Sequence, residues 1–135
     1  MKDWAAALGL AVALGLTGCG TQSGPVPSEY AMEIKSVAFP ASVAATAPLA
    51  VLVEVTVGGC QSFKRFEAER RAGVLQLRAI GSTQSGLKVA CPAIIGWEKR
   101  TYTDPGTPAR TDPFEIVVNG ASYGTVSVQA DVASP

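Results

Sequence analysis

Leu49-Ala50-Val51-Leu52-Val53-Glu54-Val55-Thr56-Val57 decides how this chain folds. Leu49, Val51, Val53, Val55 and Val57 share one parity, and Glu54 and Thr56 occupy the other. Side chains on a strand alternate between its two faces. Five apolar residues at period two therefore demand one dry face packed on a second layer. A run this rich in β-branched residues belongs in the middle of a sheet.

The flanking sequence repeats the theme. Val74 to Ile80 alternates Leu75, Leu77 and Ala79 with Gln76 and Arg78, and Leu87, Val89 and Cys91 alternate again. Ala93 to Thr103 reads as a further strand, with Trp97 and Tyr102 as its large side chains. Met32 to Phe39 alternates imperfectly, which predicts an edge strand or a bulge. Ala41 to Pro48, Gly81 to Gly86 and Asp104 to Pro113 read as connectors rich in turn residues. Phe63 to Arg71 carries six charges. Phe63 and Phe66 lie three apart, as on a helix, but its place between two strong strands favours an exposed strand with a solvated charged face.

For Phe114 to Val132 the register can be argued. A two-residue Asn119-Gly120 turn pairs Phe114 with Thr125 and puts the two apolar sets on opposite faces. A three-residue loop, Val118-Asn119-Gly120, pairs Phe114 with Gly124 and Ile116 with Ser122, and puts them on one face. The second arrangement is expected, with Gly120 in the left-handed conformation and Tyr123 pointing away from the core.

At the N-terminus, Ala5 to Leu16 holds only Ala, Leu, Gly and Val behind Lys2, whose charge Asp3 partly offsets. The run is shorter than the ~20 apolar residues that span a bilayer, and it has the layout of a secretory signal. The Leu16-Thr17-Gly18-Cys19 that follows resembles the lipobox of bacterial lipoproteins. The resemblance implies cleavage between Gly18 and Cys19, a diacylglycerol thioether on Cys19, and export. The protein is then held on the cell membrane by lipid. Gly20 stands where Asp marks inner-membrane retention, which points to the outer membrane if the cell has one. Gly20 to Glu29 reads as a flexible tether. The expected organisation is a signal peptide over residues 1–18, a lipidated tether over 19–30 and one folded domain over 31–135.

Within an exported chain Cys60 and Cys91 are read as one disulfide. A two-cysteine metal site would have no companion ligands, because the chain contains no His. That absence also removes the usual general base. Lys+Arg and Asp+Glu balance at 11 each, so nothing electrostatic favours a nucleic acid. No cofactor or metal is expected.

About seven short strands with regular turn signals and no confident helix predict an all-β fold, a single antiparallel β-sandwich. An open barrel is the alternative. From Ala31 onward the layout resembles the immunoglobulin-like modules of bacterial surface proteins, although Trp97 follows both cysteines and does not lie between them. The expected role is non-enzymatic: binding an envelope protein or glycan, with Trp97, Tyr102 and Tyr123 as candidate contacts. A structural subunit of an envelope assembly is the alternative. A carboxylate hydrolase using Glu67 and Glu69, roughly 7 Å apart along a strand, is the third.

Overall fold

The computed structural model describes residues 26–85 and 90–131. The expected signal, cleavage site and lipidated Cys19 lie outside the described residues, as do Leu87, Val89 and Val132. Among the described residues there are nine strands and no helix. They are β1 (Val26–Ala31), β2 (Ile34–Ala38), β3 (Ser42–Ala44), β4 (Leu49–Val57), β5 (Gln61–Arg71), β6 (Val74–Ser85), β7 (Gly96–Asp104), β8 (Phe114–Val118) and β9 (Ala121–Gln129). A smaller sheet runs β2-β4-β7. A larger one runs β1-β6-β8-β9-β3, with β5 on the far edge of β6.

β4 behaves as its pattern requires. Leu49, Val51, Val53 and Val55 are buried, and β4 pairs on both edges, with β2 and β7. Its dry face meets Leu75, Leu77 and Ala79 of β6, Phe114, Ile116 and Val118 of β8, and Val126 of β9. The core is thus one layer of side chains between two sheets.

The larger sheet is mixed, not antiparallel: β6 and β8 run parallel, as do β3 and β9. Chain direction explains both pairs. β6 leaves one end of the molecule and β7 returns to it in the other sheet. β8 must then start where β6 started. The segment 26–44 runs one way throughout, but it changes sheet twice, as β1, β2 and β3. It ends beside β9 pointing in the same direction.

Several boundaries differ from expectation. β1 takes in Val26 to Tyr30, which read as tether, because β6 continues through Gly81–Ser85 and offers β1 a free edge. Those residues have turn composition, but all of them pair with β1, and Gly81 to Thr83 pair with β5 as well. β3 forms inside the expected connector. β2 is an edge strand and carries the bulge expected of it, between Ile34 and Ser36. In β5 a bulge at Lys64 places Phe63 opposite Gly81 and Arg65 opposite Ile80. Phe63 and Phe66 therefore share the inner face at a spacing that otherwise suggests a helix, with their rings 4.9 Å apart.

The β8–β9 hairpin keeps both apolar sets on one face, but by another device. The turn has two residues, Asn119 (φ 48°) and Gly120 (φ 81°), and pairs Val118 with Ala121. A bulge at Tyr123 then restores the parity, placing Ile116 opposite Gly124 and Phe114 opposite Val126. Asn119 also closes the fork where β6 changes partner from β8 to β1. Its Oδ1 accepts from Ala79 N at 2.9 Å, and its Nδ2 donates to Met32 O at 2.6 Å.

The end where β4 begins is sealed by charge. Asp104 is fully buried at the end of β7. Arg70 Nε donates to its Oδ1 at 3.0 Å and Arg110 Nη2 to its Oδ2 at 2.5 Å. Arg110 Nη1 also donates to Ala44 O and Ala47 O, and Arg70 Nη2 to Pro108 O. The guanidinium carbons lie 4.6 Å (Arg70) and 5.5 Å (Arg110) from the centroid of the Phe114 ring. Arg70 is therefore not part of a solvated face, and the 104–113 connector is built on a buried ion cluster. Removing one partner of such a group strands the other charges out of water. Asp104→Ala is expected to lower unfolding free energy by about 3–5 kcal/mol, read by urea denaturation. A loss below about 1 kcal/mol, the value of an exposed pair, would contradict the buried triad.

Candidate functional surfaces

The opposite end of the molecule is a tip held by covalent and backbone contacts. β4 ends at Val57, and Gly58-Gly59-Cys60 turns into β5. Gly58 N donates to Gln61 Oε1 at 2.8 Å, and Gln84 N donates to Cys60 O at 3.2 Å. Cys60 and Cys91 are joined, with Cα atoms 5.1 Å apart. A Cβ on Gly59 would lie 2.7 Å from Pro92 N, so the two segments pack backbone against backbone. Cys91 itself lies in an exposed stretch without regular structure. It does not sit on the inward face of a strand; the bridge is reached from outside the core.

Past that bridge the chain presents Ile94 and Ile95, 68% and 72% exposed, and then Trp97, 58% exposed. Trp97 stands opposite Thr56 on the outer face of the smaller sheet. The Lys35 ammonium sits 3.6 Å from the centroid of its ring. Single exposed apolar residues are ordinary, but three within four positions form a patch.

The other sequence-derived contact candidates do not join Trp97. Tyr102 faces inward, half-buried, 5.8 Å centroid to centroid from Phe66. Burial raises its phenol pKa, and the Asp104 charge adds to the rise. Tyr123 lies at the β9 bulge in the other sheet, 38% exposed.

A second surface lies on the outer face of the larger sheet. Where β8 and β1 part at the edge of β6, Ala31, Gln76, Arg78, Val117, Asn119 and Gly120 line a groove. Arg78 is 62% exposed at the side chain and also lines two adjoining depressions, one of them with Glu67 and Glu69. Both carboxylates are engaged: Glu67 by Arg65 at 3.1 Å and Arg78 at 3.3 Å, and Glu69 by Arg71 at 2.8 Å. Both therefore sit in arginine ion pairs on the exposed face of β5. Among the described residues no group of three His, Cys, Asp or Glu could hold a metal ion.

The sequence pointed to the cysteine pair and named Trp97, which is exposed, but the positions that Arg78, Asn119 and the Asp104 cluster occupy were not read from it. The usable signal for Asp104 was parity, since it shares the inward face of β7 with Tyr102. No comparable signal marked Arg78, because the groove exists only where two strands diverge. No protein-family model, curated protein or solved structure matches this chain.

Above the groove, Glu29 of β1 reaches across β6 to β5. It accepts from Arg65 at 2.8 and 3.1 Å and from Lys64 at 2.6 Å. The Arg65 hydrogen bonds, followed by that from Lys64, lower its pKa from 4.5 to about 2. The folded state thus binds a proton here less readily than the unfolded chain. The contribution is fully present above pH 4.5 and is lost as pH falls through about 2. In a carboxyl NMR titration Glu29 should titrate near 2, and in Arg65→Gln its midpoint should move back towards 4.5. An unchanged midpoint in the variant would remove Arg65 as the cause.

Proposed function

We propose that this chain is the precursor of a lipid-anchored lipoprotein of a bacterial envelope, cut before Cys19 and acylated there. Its folded part serves as a non-catalytic module that binds an envelope protein or glycan. The observation that carries the binding reading is the groove at the β6 fork. Arg78 and Gln76 contribute polar groups to its lining and Val117 an apolar one. Polar groups beside an apolar side chain suit a sugar or an extended peptide. Support for a non-catalytic role comes from the lack of His and from the arginines that hold Glu67 and Glu69. Two packed sheets also agree with the resemblance to immunoglobulin-like surface modules.

The accessory-subunit reading draws on β7, nine residues long and, among the described residues, paired on one edge only. Such an edge can accept a strand from a neighbour. A complex of fixed stoichiometry in envelope extracts would favour it.

Two measurements test the main reading. Intact mass of the native protein should match a chain beginning at Cys19 with acyl groups added and Cys60 and Cys91 oxidised. Capture of envelope protein or glycan should fall roughly tenfold or more in Arg78→Glu, the loss of one charged hydrogen bond being about 1.5–3 kcal/mol. An uncut, unacylated mass would overturn the anchor. Equal capture by wild type and variant would overturn the groove.

A further inference from the structure

We infer that the Ile94–Ile95–Trp97 tip rests on the lipid bilayer, so that the molecule stands on its membrane in one orientation. The inference depends on the acylated Cys19 proposed above, and it adds a second contact with the membrane.

Its first support is where the chain enters the fold. Val26 pairs with Ser85 and Ser28 with Thr83. Thr83 pairs with Gln61 on its other side, and it lines the same shallow depression as Cys60, Cys91, Ile94 and Ile95. The anchored segment therefore joins the molecule at the tip. Seven residues from Cys19 to Val26 reach at most about 25 Å, at ~3.3–3.6 Å each. The Asp104 end lies a further ~27 Å away along β4. Of the two ends, the tip is the one held against the bilayer.

The second support is chemistry. Two adjacent exposed isoleucines followed by a tryptophan with a lysine ammonium over its ring provide apolar groups for the acyl boundary. They also place an aromatic–cation pair at headgroup level, where Trp and Lys collect in membrane proteins. Glu29, the carboxylate carried in by β1, is already neutralised by Lys64 and Arg65.

The third is size. A stable protein interface needs about 800 Å² from each partner. The three exposed apolar side chains described here do not by themselves make such an interface, but a tip already tethered needs only a weak added contact, because the tether supplies a high effective concentration.

The sequence supplies its own probe. Its two tryptophans are Trp4 and Trp97, and cleavage before Cys19 leaves Trp97 alone. Native acylated protein is reconstituted into phosphatidylcholine vesicles made with and without brominated acyl chains, with acylation verified by mass. The expected result is a blue-shifted Trp97 emission that bromolipid quenches. In an Ile94→Asn/Ile95→Asn variant, equally acylated and equally stable to heat, the quenching is lost. Solvent-exposed, unquenched emission from acylated protein would overturn the inference and leave the anchor standing. Shielding that ignores bromine and grows with protein density would assign the tip to a second copy, and would also overturn it. Quenching by added vesicles in protein that mass shows to be unacylated but to lack Trp4 would support the tip contact while removing the lipoprotein reading. An unacylated protein with unquenched emission would remove both.

Discussion

Everything in this molecule follows from one face of β4 that must be kept from water. Leu49, Val51, Val53 and Val55 have no measurable use for solvent, and full burial of each such side chain is worth about 1.5–3 kcal/mol. A single sheet cannot cover them. The chain therefore builds a second sheet around β6, whose inward Leu75, Leu77 and Ala79 answer β4 across the core. β6 takes β5 along one edge and shares the other between β8 and β1. That division creates the fork, and the fork creates the groove.

The same strand lengths give the molecule two unlike ends. At one, a fully buried carboxylate and two arginines close the gap between the sheets. Such a cluster is weak as a source of stability compared with apolar packing, but it tolerates no missing member. It specifies how the 104–113 segment lies more than it strengthens the core. At the other end closure is covalent, through Cys60 and Cys91, and the chain beyond the bridge is left outside with its isoleucines exposed. On a chain-entropy argument the bridge is worth about 3–4 kcal/mol across its loop. It closes the end of the molecule opposite the buried ion cluster.

The alternating strands were legible in the sequence because period two is a local signal. β4, the first half of β6 and the inward residues of β8 and β9 all appear in the residue pattern. What escaped depends on partners far along the chain. Gly81 to Ser85 carries turn residues, yet it is strand because β1 pairs with all of it and β5 with Gly81 to Thr83. Lys64 and Tyr123 are single inserted residues that shift parity, and nothing in composition announces them. The parallel pairs come from chain direction after crossings between sheets, which alternation does not encode. Asn119 was readable as a turn residue, but its two side-chain hydrogen bonds serve Met32 and Ala79, 87 and 40 positions away. The proposed site suffers most from this: an exposed Trp97 can be named from sequence, whereas a groove at a fork exists only after assembly.

The two-sheet core should be readable directly in amide hydrogen exchange followed residue by residue on the folded protein. If β4 and β6 are the centre of the structure, their inner amides will exchange last, at the rate of global unfolding, while residues 91–95 exchange within the dead time. The account is contradicted if β4 exchanges as fast as the edge strand β2, or if its amides open separately from those of β6.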